Sequence, residues 1–434
     1  PCGRSWIKGI AWHGAYFWRM LTGAPGSGHP GRNDRWWTVA VLLTTVLVKC
    51  FFLRVDQVFE AHTMALDLLA TGQFGHHYFG SWDRTFQFPV YTALLAAIYG
   101  LGGGGQAVLL FQVACGTAVA WFSLRLARLL LKGHPRVRVI GLAVALLVGL
   151  DPFLGYYQVR MIHPFAWDML IALALLYASL TADPDRRWTI FLLFALGGLS
   201  LLNRPTLAVF MLPFLFRFPG FLFSLDRLPV KVALVMLLFG PIGCWVLRNH
   251  ALTGRFQLPS VTDQMIWMGQ QEETEGGSYQ ADGTTYLHLL SSAERHRMFT
   301  EDPVERSELF RAKWQEERAM RPGLAWRMLG VKLKNFWTSR SAIGQDHASG
   351  MQWAMDLYRV HAVILFGMFL VSQFLADRRL RFIGLSVLLL SVAQCIYYFE
   401  TRHRLLVDPI LITLALVVVV RIGERIPRLG SARR

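Results

Sequence analysis

Ten apolar runs dictate what this chain can become. They cover 36–52, 106–131, 139–157, 164–180, 188–202, 206–223, 232–247, 357–375, 382–398 and 405–420. Several approach the ~20 residues that an α-helix needs to cross a bilayer. The apolar residues are continuous rather than alternating, which predicts helices and makes barrel strands unlike this pattern. The chain is 54% hydrophobic and only 17% charged, with 15 Trp and 30 Phe, too apolar for a soluble domain of its length. The predicted fold class is therefore an all-α polytopic membrane protein with about ten transmembrane helices.

The formal charge of +16 raises the question of a nucleic-acid partner, and its distribution answers it. Segments 1–35, 125–138, 183–187, 217–231, 377–381 and 421–434 hold 23 Lys+Arg against 6 Asp+Glu, whereas the remainder holds 21 against 22. Positive residues collect on alternate turns between the runs, as the positive-inside rule requires. The charge thus reports topology, with both termini predicted inside, and no nucleic acid is needed. The five cysteines, at 2, 50, 115, 244 and 395, form no CxxC pair, so neither zinc nor a redox dithiol is indicated.

The predicted organisation follows from that topology. A cytoplasmic tail covers 1–35, and a transmembrane module covers 36–247. Within it, an external loop, 55–105, carries two short interfacial helices over 58–70 and 89–99. A polar external subdomain spans 248–352, with an amphipathic helix over 326–337. C-terminal transmembrane helices occupy 353–420, and a second tail covers 421–434.

Asp56, Glu60, Arg84, Arg160, His163, Arg204, Arg248, Glu400, Arg402 and Arg404 all fall at outer helix ends or in outer loops of this topology. Charges at membrane depth cost roughly 2.5–3.5 kcal/mol on insertion scales, so they pair or line a wet cavity. Arginines bind phosphate through forked hydrogen bonds, and a neighbouring carboxylate can act as a general base. Each residue also has a plainer reading. Asp56 can cap the 58–70 helix. Glu60 can face solvent. Arg204 can snorkel to headgroups. Arg404 and Asp408, spaced i, i+4, can simply pair. His76 and His77 lack a third ligand at helical spacing, so no metal site is predicted, and Gly102–Gly105 lacks the Lys-Ser/Thr of a phosphate loop.

The order of motifs resembles the polytopic lipid-dependent glycosyltransferases of the GT-C superfamily, in the branch of aminoarabinose transferases and protein O-mannosyltransferases. Asp56 follows the first span, Ala65 to Leu69 match an A-x-x-LL helix, and Gln87-Phe88-Pro89-Val90-Tyr91 stand where a basic-Pro-Pro-Gly-Tyr element is usual. GGLSLLNRPT at 197–206, WVLRNHALTGRFQLPS at 245–260 and ETRHRLLVDP at 400–409 are similar to G-L-A-x-L-T-R-P-T, W-x-x-R-N-x-x-x-x-G-x-x-x-x-x-S and E-x-R-Y-R-L-P-x-E-P. The departures are Gln57 for the second acid, Gln87 for the basic residue, which leaves Arg84 to supply that charge, and His403 for the Tyr of R-Y-R.

The resemblance implies a GT-C-like fold and a hexosyl- or pentosyltransferase. Its donor is a polyprenyl-phosphate sugar, used on the outer face of a membrane, the bacterial inner membrane with the site toward the periplasm. It implies Asp56 as the base, with Glu60 as the competing candidate, and inversion at the anomeric carbon. Arg84, Arg160, Arg204, Arg248 and Arg404 are implied as donor-phosphate ligands; Arg204, Arg248 and Arg404 are predicted to converge on one cavity, with Arg84 and Arg160 as secondary candidates for it. Gln57, Gln87, Tyr91, His163, Arg402 and His403 are implied as substrate contacts. No cofactor is indicated, and the sequence leaves dependence on a divalent metal open. The implied partners are membrane lipid, the lipid-linked sugar and a glycan, lipid or protein acceptor. The rival from another class is a transporter or flippase for lipid-linked saccharides, but the chain shows no pair of related halves. A catalytically inactive scaffold is a third reading.

Overall fold

The computed structural model describes residues 32–223, 228–280, 283–339, 352–375 and 377–431. Expectations for most of the N-terminal tail, for Cys2 and for 340–351 lie outside them. The chain divides into two units, Pro1–Ala40 and Val41–Arg434. In the first, the described residues are the opening turns of α1 (Arg32–Phe51), where the Thr38 hydroxyl donates to the Asp34 carbonyl at 3.0 Å.

In the second unit, the chain leaves α1 extended and forms β1 (Gln57–Val58), followed by α2 (Glu60–Thr71). α2 stops at Gly72, whose φ of 70° suits the left-handed helix cap that glycine adopts without strain. A hairpin of β2 (His76–Tyr78) and β3 (Ser81–Asp83) comes next, then α3 (Val90–Gly100). Two short helices thus stand where the sequence predicted them, each shifted by one or two residues. Short strands were not expected. They form where the chain turns between helices and backbone N–H groups need partners.

α4 (Gly105–Leu130) is a long apolar helix. α5 (Val137–Gly149) and α6 (Pro152–Val159) replace the single span expected over 139–157. Pro152 has no N–H to continue the first helix, and Asp151 caps the second by accepting from the amides of Phe153 and Leu154 at 2.9 Å each. The two helices meet at a 53° bend. β4 (Met161–Ile162) then pairs in parallel with β1, Gln57 opposite Met161 and Val58 opposite Ile162.

α7 (Phe165–Thr181) and α8 (Arg187–Asn203) are 17-residue apolar helices. The run 206–223, expected as one span, is broken into a 3₁₀ turn (Pro205–Met211), α9 (Leu212–Arg217) and α10 (Pro219–Phe223). Pro205, Pro213 and Pro219 each remove an N–H from the ladder and favour a restart. α11 (Leu228–Thr253) follows, long and apolar, and reaches further than the expected limit at 247.

The polar segment folds into short helices. It contains α12 (Thr262–Met268), α13 (Ser292–Thr300), α14 (Pro303–Met320) and the amphipathic α15 (Leu324–Thr338). α16 (Gln352–Phe374), α17 (Arg378–Ile396), a 3₁₀ turn (Thr401–Leu406) and α18 (Asp408–Ser431) complete the chain. Among the described residues, four helices (α4, α11, α16, α17) are long and apolar enough to cross a membrane, or five with the α5–α6 pair as one span. The expected count of about ten is not reached by that measure, because proline breaks and short helices interrupt the runs. The core is built from Phe165, Phe210, Phe214, Phe336, Phe369 and Phe399, all fully buried.

The ends of these helices sort the charges. At one end, Arg379 donates to the Leu129 carbonyl at 3.1 Å, Arg421 to the Leu130 carbonyl at 2.8 Å and Arg217 to the Leu180 carbonyl at 2.9 Å. Arg421 also meets Asp377 at 2.6 Å. These residues belong to the segments expected inside or border them, and their hydrogen bonds satisfy free carbonyls at helix ends.

Candidate active site

Asp56 sits in the extended stretch after α1. Its amide donates to the Arg160 carbonyl at 2.8 Å, and the Gln57 amide donates to the same oxygen at 3.3 Å. Its carboxylate receives Arg54 Nε at 3.0 Å and Arg160 Nη1 at 3.2 Å. It is therefore held between two guanidiniums. It does not cap α2, whose N-cap is Phe59 with no side-chain capping bond. Gln57 is committed to the β1–β4 ladder through its backbone.

Glu60 opens α2, is exposed, and has no ion pair among the described residues. Its charge reaches His76 and Tyr78 on the hairpin and Tyr398 next to the 3₁₀ turn at 401–406.

The first group is basic and aromatic. Arg248, near the end of α11, lies over Trp245 at 4.4 Å and Phe74 at 5.4 Å from the ring centroids. Its Nη1 donates to the Arg84 carbonyl at 3.0 Å and its Nη2 to the Phe74 carbonyl at 3.5 Å. Arg84 is exposed, donates to Gln73 Oε1 at 3.2 Å, and is close enough to repel the Arg248 charge. Neither arginine has a carboxylate partner among the described residues. Two guanidiniums close enough to repel, with no carboxylate partner among the described residues, form an electrostatic arrangement that an anion relieves.

The second group surrounds the 3₁₀ turn at 401–406. His163 stacks on Phe165 with centroids 3.9 Å apart, and Phe59 meets His163 edge-on at 4.7 Å. Arg402 lies over Phe59 at 5.4 Å and pairs with Glu400 at 2.7 Å. Arg204 lies 6.0 Å over Phe165 and is held by Asp168 at 3.0 Å and Gln394 at 3.2 Å. His403 packs against Tyr398 and Phe399.

Burial, with Arg402 and then Arg204, pushes His163 well below the ordinary imidazole range. Burial, with Arg204, Arg402 and His163, does the same to His403. Both rings are neutral at pH 7. Each Nδ1 accepts a backbone amide, from Phe165 at 3.3 Å and from Glu400 at 3.3 Å. The proton of each therefore sits on Nε2, available as a donor.

Other sequence candidates stand one step back. Tyr91 is buried and donates to Gln112 Oε1 at 2.7 Å; Gln112 accepts the His163 amide at 3.2 Å and donates to the Met161 carbonyl at 2.8 Å. Tyr91 thereby acts on the loop that carries His163. Gln87 donates to the Thr92 hydroxyl at 2.9 Å, at the start of α3. Arg404 is completely buried, with Asp408 at 3.6 Å, the Ala362 carbonyl at 3.1 Å and the Tyr358 ring at 5.7 Å. Tyr358 donates to Asp408 at 2.7 Å, which closes an internal network.

Arg204, Arg248 and Arg404 thus have three separate sets of partners. Arg204 joins the histidine cluster, Arg248 the pair with Arg84, and Arg404 the interior. Sequence reasoning missed Phe59, Phe165 and Gln112. Only Gln112 carried a signal, as a polar residue inside an apolar run.

Fold and site together define a helical protein with membrane-spanning segments and an ionic, aromatic cluster at one end of its helices. No protein-family model matches the chain, and no curated protein matches it. Among solved structures, the crystal structure of ArnT from Cupriavidus metallidurans bound to undecaprenyl phosphate is similar at 15% identity with a TM-score of 0.37, over 89% of this chain and 77% of that chain. A likeness at that level carries no weight for function, which rests on the residues of this chain.

Proposed function

We propose that the protein transfers a sugar from a polyprenyl-phosphate donor to an acceptor hydroxyl at the outer membrane–water interface. The observation that supports it is the Arg84–Arg248 pair, uncompensated among the described residues, in the same loop system as the unpaired carboxylate Glu60. In this reading the acceptor oxygen attacks the anomeric carbon, the bond from that carbon to the phosphate oxygen breaks, and the electron pair leaves with the phosphate. The leaving group gains one negative charge, which the two guanidiniums offset. The acceptor proton passes to a carboxylate. A single displacement inverts the anomeric centre.

Two carboxylates compete for the proton. Asp56 matches the motif position but is engaged by Arg54 and Arg160. Glu60 has no ion pair among the described residues, and its charge reaches the hairpin that leads into Arg84; we assign it the base role, with Asp56 orienting Arg160 and the β1–β4 ladder. A transfer assay with polyprenyl-phosphate sugars tests this. Glu60→Gln is expected to lower turnover by about 10²–10⁴-fold with donor binding retained, and Asp56→Asn to lower it less. The reverse order returns the base role to Asp56, and full activity in both variants eliminates a carboxylate base from this loop. Arg248→Gln or Arg84→Gln is expected to weaken donor use about tenfold to a hundredfold, the loss of one charge-assisted contact.

A further inference from the structure

The ends of α4 and α18, where Arg421 joins the Leu130 carbonyl to Asp377, border a cavity of about 340 Å³. That volume falls in the range of small-ligand pockets. Its lining has two characters. Leu130 and Leu131 are buried and apolar, while Lys132, His134, Arg421 and Glu424 are polar. Lys132 is exposed and has no ion pair among the described residues. Arg421 uses only Nη2 for its two oxygen partners, which leaves Nη1 and Nε without one among the described residues. Glu424 brings the lining's one carboxylate, and its Oε1 lies 3.4 Å from His134 Nε2. His134 Nδ1 accepts the Arg136 amide at 3.0 Å, so the ring proton sits on Nε2 and faces that carboxylate. The acid is thus turned toward the histidine, and two cations keep donors to offer.

We propose that this cavity seats the phosphate headgroup of an anionic phospholipid, from the leaflet that faces the basic segments. The surroundings carry charge of the matching sign. Residues 125–138 hold five Lys+Arg and no Asp or Glu, and Arg136 and Arg138, like Lys132, are exposed. Apolar surface is at hand for acyl chains. Val419 and Ile422 are exposed within two residues of Arg421, and Val139 is exposed near the start of α5. α4 is long and apolar enough to cross a membrane, so its end lies where headgroups lie. Cationic donors beside an apolar floor at that depth match an amphiphile with an anionic head better than a soluble anion, and basic pockets between membrane helices bind such headgroups. Lys132 and the free edge of Arg421 give the phosphate oxygens charge-assisted contacts. The bound lipid then joins the turn after α4 to α18, alongside the tie that Arg421 already makes. Glu424 opposes the same phosphate, a sign that diffuse attraction to basic loops does not carry. The proposal is independent of the transferase reading and uses none of its residues.

Native mass spectrometry of the purified full-length protein in detergent, titrated with phosphatidylglycerol, tests it. One lipid is expected to bind ahead of the rest, about tenfold more tightly than zwitterionic phosphatidylcholine, the effect of two nearby cations on one net negative charge. Lys132→Gln removes an exposed side chain that has no ion pair to lose, and is expected to weaken the first lipid about fivefold; Lys132→Arg is expected to keep it. Glu424→Gln removes the opposing charge and is expected to tighten binding about twofold or more. Arg187→Gln changes an exposed cation outside the cavity, in a segment expected on the same side, and is expected to leave binding as it is. Equal weakening in Arg187→Gln and Lys132→Gln reveals diffuse attraction and overturns the proposal. So does phosphatidylcholine that binds as well as phosphatidylglycerol, or a Glu424→Gln variant that binds it more weakly. Inorganic phosphate is the last arm. If it displaces the first lipid, the cavity takes a free anion and the lipid assignment falls; if the lipid stays bound in its excess, the assignment stands.

Discussion

His163 and His403 share one local wiring, an Nδ1 that accepts a backbone amide and a ring held neutral by burial and by arginines. In the unfolded chain both titrate near 6.5. Between the depressed folded value and 6.5 the unfolded state binds more protons, so stability rises with pH through that window. It is complete above about 6.5 and is lost on acidification below it, at about 1.4 kcal/mol per pH unit for each ring. The melting temperature in detergent is expected to fall between pH 7 and 5, with a flatter profile in His163→Gln/His403→Gln. An identical slope in that variant removes the histidines from the account. Gly116 gives a second residue-scale prediction. A Cβ there would stand 2.2 Å from Gln158 Oε1 and 2.9 Å from Lys49 Nζ, so Gly116→Ala must displace the buried Lys49–Gln158 contact. A loss of about 1–3 kcal/mol, typical of overpacking, is expected in denaturant titration.

At the scale of elements, the β2–β3 hairpin is fastened to the polar segment by a buried clamp. Arg306, on α14, donates to the Tyr78 carbonyl at 2.9 Å and the Ser81 hydroxyl at 3.1 Å, and faces Asp83 at 3.7 Å. Asp83 in turn accepts from Ser260 at 2.5 Å and from the Thr85 amide at 2.8 Å. Gln264, on α12, donates to the hydroxyls of Tyr78 and Tyr286 at 2.8 and 2.6 Å. The same hairpin leads into Arg84, so the clamp sets the position of the Arg84–Arg248 pair proposed to hold the donor phosphate. Arg306→Met leaves Asp83 buried without its cation, and breaking such a pair costs about 3–5 kcal/mol. Faster proteolysis in 72–85 and weaker polyprenyl-phosphate binding are expected together; loss of binding with unchanged proteolysis would separate the hairpin from the site. None of this was legible in the sequence, because Arg306 lies more than 200 residues from its partners. The helices themselves were legible wherever apolar periodicity ran unbroken, as in α4 and α17, and misread where Pro152, Pro213 and Pro219 interrupted it.

For the whole molecule, the basic segments expected on one side of the membrane meet one another through Arg379, Arg421 and Arg217, while the proposed site is built from loops of the other set. After replacement of the exposed Cys50 and Cys244, cysteines at Gly80 and Glu273 are expected to react with an impermeant thiol reagent in intact cells. Cysteines at Gly133, Asp185 and Arg378 are expected to react only after permeabilisation; the opposite pattern reverses the topology and moves the proposed site to the inner side. The sequence by itself determined the helical class, the sorting of charge and the motif residues, because hydropathy, positive charge and local spacing are written along the chain. Which of those residues work together was decided by tertiary structure alone. Arg84 and Arg248 stand side by side, Arg204 joins Arg402 and two histidines, and Arg404 is sealed with Asp408 and Tyr358. Burial and the nearest counter-charge set the role of a guanidinium, and both are properties of partners that lie far apart in the chain.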